Sequence, residues 1–146
     1  MLAADRAPAA ILALSERTAA LDLASVARHE LGHALVFLDD RATRTRGFLH
    51  LFGDVRTRYR VGTAADEVER RLRARRGLDN PRYRRVVSLY AATHPHERFA
   101  EAVKMALACR GDLARAKRWV AQHALDELVT AQIAYACDWL VTYRKR

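Results

Sequence analysis

The sequence predicts a mostly α fold with one small β element, an α+β chain. Ala- and Leu-rich stretches at helical spacing fill most of it. Helix-capping and helix-stopping residues punctuate those stretches at the right intervals. One segment, Phe48 to Val61, alternates instead and reads as a hairpin.

In chain order, residues 7–20 read as a first helix. Asp22 or Ser25 caps a second that runs to about Phe37, where Asp39-Asp40-Arg41 ends it. In the alternating segment, Phe48, His50 and Phe52 interleave with Leu49 and Leu51. Val55, Thr57, Tyr59 and Val61 then interleave with Arg56, Arg58 and Arg60, and Gly53-Asp54 fits a two-residue turn. The expectation is a β-hairpin over 48–61. Thr63 and Asp66 resemble a capping box for the next helix, which Gly77 stops. Asn80-Pro81 opens another, and His94-Pro95 opens one that ends near Gly111. Asp112 caps a final long helix, straight or bent, reaching Arg144-Lys145-Arg146, which completes a C-terminal helical bundle.

Composition bounds the function. At 146 residues and 51% hydrophobic, the chain suffices for one domain, 1–146, with a real core. No apolar run reaches the ~18 residues of a membrane span, so no membrane partner is expected. The start, Met1 to Arg6, carries no signal-peptide pattern. A cytoplasmic location is the default expectation, with export by a non-classical route as the alternative. Cys109 and Cys137 read as free thiols in helical, core-facing sequence. The net charge is +9, but only three of the 26 basic residues are Lys. Such an Arg-for-Lys skew in an Ala-rich chain fits GC-rich coding, so the charge argues only weakly for nucleic acid.

The chemistry lies in His29-Glu30-Leu31-Gly32-His33, an HExxH motif inside the second helix. Residues i and i+4 share one helix face, so both imidazoles can reach one Zn²⁺. Glu30 can aim its carboxylate at a water that zinc acidifies towards pKa ~7. The bland reading is two satisfied histidines one turn apart. Zinc sites of this kind take a third His, Asp or Glu, and no further His follows His33 within the same helix. Glu97 and Glu101 again stand at i and i+4 on a later helix. One could bind zinc while the other accepts the free N–H of a zinc-bound imidazole. Alternatively both are a solvated pair, with Arg98 and Lys104 as ion partners. His96 is another candidate ligand, although helix capping or surface placement explains it better.

HELGHA, with Tyr90 seven residues before the first Glu of an E-x-F-A-E-A run, resembles the catalytic domain of anthrax lethal factor and the related Pro-Pro endopeptidases. These are HExxH zincins of the gluzincin type, known as toxins and secreted proteases. The resemblance covers about residues 25–40 and 88–108 and implies one zincin-like metallopeptidase domain. It implies His29, His33 and Glu97 as zinc ligands, Glu30 as general base, Glu101 as support for a ligand, and Tyr90 as oxyanion donor. The implied activity is zinc-dependent hydrolysis of a peptide bond in a protein substrate. The family also has a small sheet ahead of its HExxH helix, but here only 28 residues precede His29 and they read as helical. Either the hairpin at 48–61 supplies the substrate-aligning edge, or the cleft is incomplete, or the chain is a piece of something longer.

Two other functions stand beside this one. One is a catalytically inactive zincin-like binding protein. The other is a basic helical nucleic-acid-binding protein in which HExxH is accidental. Arg70, Arg71, Arg73, Arg75 and Arg76, followed by Arg82, Arg84 and Arg85, would serve phosphates there, or form a solvated helix end favoured by the dipole. Arg56, Arg58 and Arg60 could select an acidic substrate or merely guard a strand edge. Trp119, Tyr135, Trp139 and Tyr143 read as core packing along the last helix. His50 and His123 carry no partner pattern.

Overall fold

A computed structural model describes residues 23–58, 84–88 and 90–145. Its helices are α1 Leu23–Leu38, α2 Arg46–Leu51, α3 Pro95–Ala108, α4 Leu113–Gln122 and α5 Glu127–Arg144. Short 3₁₀ turns lie at Ala42–Arg44 and Tyr90–Ala92. The expected elements over 7–20 and from Thr63 to Pro81, with the arginines at 70–76 and Arg82, lie outside the described residues.

The expected hairpin is corrected: the described residues contain no strand and form an all-α arrangement instead of α+β. Thr45 starts a helix where a strand was expected, its side chain accepting from the Phe48 N–H. Burial there follows the helical period. Phe48 and Phe52, four apart, are fully buried, while Leu49 and His50 between them are exposed. Gly53 then takes a left-handed φ of +95°. Asp54 folds the following residues back as a turn: its side chain accepts from the Arg56 N–H, and its carbonyl from the Thr57 N–H at 3.1 Å. The alternation of residues 48–58 therefore reports two local turns of chain. Tyr59 to Val61 lie outside the described residues.

The final long helix is also two helices. α4 ends at Gln122, Ala124 takes φ +52°, and Asp126 restarts the chain by accepting from the Leu128 N–H. Asp112 caps α4 as expected, accepting from the Ala114 and Arg115 N–H groups. α3 opens with Pro95 in its first turn and the His94 ring accepting from the His96 N–H.

α3 is the centre of the fold, packed between α1 and α5, with α4 against α5. Phe48, Phe52, Phe99 and Trp139 form an aromatic cluster with ring centroids 4.7–5.7 Å apart. Leu35 and Val36 of α1, Val103 of α3, and Val129 and Ile133 of α5 complete the buried core. Trp119, Tyr135 and Tyr143 pack on it, Cys109 is buried within it, and Cys137 lies beside it, as expected. No described helix is long and apolar enough to cross a membrane.

Candidate metal centre

Close packing of α1 on α3 builds the site. A Cβ at Gly32 would fall 2.5 Å from the Ala100 Cα and 3.0 Å from its Cβ. Only a glycine permits that approach, and Ala100 is itself fully buried. His29 and His33 lie on either side of Gly32 in α1. Glu97 and Glu101 lie on either side of Ala100 in α3. The small–small contact therefore sets two imidazoles against two carboxylates.

Three donor atoms converge. His29 Nε2 lies 2.9 Å from His33 Nε2, and Glu97 Oε2 lies 3.0 Å from the first and 3.2 Å from the second. Two ring nitrogens and a carboxylate oxygen this close are held together by shared imidazole protons or by a bound cation. Ligand atoms 2.0–2.1 Å from a tetrahedral zinc stand roughly 3.3 Å apart, so this triangle fits the ion. Ligand-capable atoms of His29, Glu30 and His33 also lie within 4.8 Å of one another. Glu30 is exposed and Glu97 is buried, which suits the first to mobile solvent and the second to fixed coordination.

The far side of His29 is held as well. Its Nδ1 lies 2.8 Å from Glu101 Oε1, and both Glu101 oxygens accept from Lys104 Nζ at 2.8 and 2.9 Å. Burial by itself lowers the His29 pKa, but its bonds to Glu101 and Glu97 outweigh that and raise it to about 9. Burial pushes the Glu101 carboxyl up, yet hydrogen bonding to His29 and the charge of Lys104 leave it below its ordinary value. Burial and the neighbouring His33 lower His96.

Tyr90 stands on the turn just before α3, half-exposed, its ring centroid 5.6 Å from that of His29. Arg98 steadies this edge by donating to the Phe52 carbonyl at 3.2 Å. The His94 ring reaches the Thr57 carbonyl at 2.7 Å, tying the 53–58 loop to the start of α3. The structure thus brings together His29, Glu30, His33, Tyr90, Glu97 and Glu101. Arg56 and Arg58 are exposed, with Arg56 held by Asp54. Arg84 and Arg85 are exposed, and His123 bonds to the Trp119 carbonyl. Sequence reasoning missed Gly32 as the contact point. A glycine inside a helix costs ~1 kcal/mol against alanine, which was the available sign that packing requires it.

Residues 14–142 match the model of a family described as "Putative zinc-binding metallo-peptidase". The chain belongs to this family. Its cofactor is zinc, and a peptidase acts on a protein or peptide. No curated protein and no solved structure matches the chain.

Proposed function

We propose that the chain is a zinc-dependent endopeptidase whose ligands are His29, His33 and Glu97. The convergence of His29 Nε2, His33 Nε2 and Glu97 Oε2 within 3.2 Å carries the proposal. When bound there, zinc supplies Lewis acidity to the scissile carbonyl and to water. Glu30, exposed and next to His29, receives the proton of the attacking water and returns it to the leaving amine. Tyr90 donates its hydroxyl to the oxyanion that develops on the substrate carbonyl, worth ~3 kcal/mol. Glu101, kept ionised beside Lys104, accepts from His29 Nδ1–H and leaves Nε2 as the ligand atom.

The order Tyr90, Glu97, Glu101 after HELGHA supports a lethal-factor-like arrangement of these roles. With 48–58 helical and turned, alignment of substrate along a hairpin edge is not part of the proposal. The +9 charge favours acidic proteins or peptides as substrates through long-range attraction. Family membership and the facing histidines weigh against an accidental HExxH in a nucleic-acid binder. The test is zinc content together with cleavage of a peptide library. Glu30→Gln should keep stoichiometric zinc and lose hydrolysis. Full activity in that variant removes the mechanism, and an inert wild-type chain that still holds zinc identifies a binding protein.

A further inference from the structure

Glu101 serves His29, and His33 has a counterpart that the motif does not announce. His33 Nδ1 lies 2.5 Å from Nδ1 of His96, and the two rings are only 14° from coplanar with centroids 4.7 Å apart. Parallel rings stacked face to face would keep all their atoms at van der Waals separation. A nitrogen–nitrogen contact this short therefore means that the rings meet edge to edge, nitrogen facing nitrogen. One nitrogen must donate and the other accept. His33 already turns Nε2 towards His29 and Glu97.

We infer that His96 is a positioning residue for His33, accepting the His33 Nδ1–H at its own Nδ1 and so holding His33 with Nε2 as the ligand atom. This rests on the metallopeptidase reading above. His96 is fixed for the task. Its backbone N–H donates to the His94 ring at 3.1 Å, and Phe37 covers it with ring centroids 5.3 Å apart. Its Nδ1 faces the side of His33 opposite the donor triangle, so His96 stands behind a ligand and does not complete the triangle.

The experiment measures zinc affinity by competition with a chromophoric chelator, for the full chain and three variants. His96→Phe keeps an aromatic ring and loses the acceptor, and its zinc Kd should rise ~10–100-fold. His96→Asn restores an acceptor near the Nδ1 position and should recover most of the loss. A wild-type Kd in His96→Phe, or no recovery in His96→Asn, overturns the inference. Complete metal loss in His96→Phe, equal to that of His29→Ala, makes His96 a ligand and overturns it too. A wild-type chain that takes up no zinc overturns the metallopeptidase reading itself, an outcome distinct from the others. A readout independent of variant folding is the ¹⁵N imidazole spectrum of the zinc-loaded wild type. It should show His33 protonated at Nδ1 and His96 unprotonated at Nδ1, and the reverse pattern sinks the assignment.

Discussion

Replacing Gly32 by alanine separates two physical effects that point in opposite directions. Helix propensity alone favours alanine inside α1 by about 1 kcal/mol. Packing opposes it, because the new Cβ would meet the Ala100 Cα at 2.5 Å. Carbon atoms prefer ~3.5–4.0 Å, so the helices must part by an ångström or more at that point. The listening atoms are close: Gly32 adjoins His33, and Ala100 is one turn from Glu97. Contacts of 3.0 and 3.2 Å from the imidazoles to Glu97 would open with the helices. Overpacking of this kind costs about 1–3 kcal/mol. At this chain length each kcal/mol moves Tm by roughly 2–4 °C. Less the ~1 kcal/mol that alanine gains in helix propensity, the net cost is up to ~2 kcal/mol, so the variant should melt up to ~8 °C lower and bind zinc more weakly. Calorimetry of the metal-free protein and chelator competition read the two quantities. An equal or higher Tm with unchanged zinc affinity would refute the packing account.

The two carboxylates of α3 should behave differently. Glu97→Gln should abolish stoichiometric zinc, whereas Glu101→Gln should weaken it ~10–100-fold and keep the ion, and metal analysis after dialysis reads both. Loss of metal in the Glu101 variant alone would exchange their roles. In the metal-free protein the His29 pKa is raised above its ordinary 6.5 to about 9. The stabilisation is then complete below pH 6.5 and fades as pH rises through 9, by up to about 3 kcal/mol. Thermal melts from pH 6 to 10 should show this fall in the wild type and lose it in His29→Ala. Phe48→Ala should cost ~3–5 kcal/mol by denaturant unfolding, because the ring is fully buried against Phe52, Phe99 and Trp139. Leu49→Ala, at a partly exposed position, should cost well under that. Equal costs at both positions would contradict a helix there.

Local sequence determined what local physics controls. HExxH put two imidazoles on one face because four residues make about one helical turn. The Glu97 and Glu101 spacing did the same for two carboxylates, and Asp112, His94 and Pro95 marked real helix starts. Residues 48–58 satisfy both periods, because a short apolar run with aromatics fits a strand and a helix alike. What chose the helix was burial of Phe48 and Phe52 against α3 and α5, together with the Thr45 cap. A bend in the last helix was within the sequence reading, but its place at Ala124 was not marked, since no glycine or proline stands there.

The pairing of the two helices was decided only in three dimensions. The sequence determined which side chains could bind a metal and how each pair is spaced along its own helix. It left open whether Glu97 or Glu101 faces the imidazoles, and it offered His96 as an alternative ligand for which helix capping or surface placement was the stronger explanation. Tertiary packing fixes where each of these side chains stands. The Gly32–Ala100 contact sets the register of α1 against α3, and that register puts Glu97 in the donor triangle, Glu101 behind His29 and His96 behind His33. A register between segments more than 60 residues apart depends on which surfaces can approach closely, and spacing along one helix carries no such information.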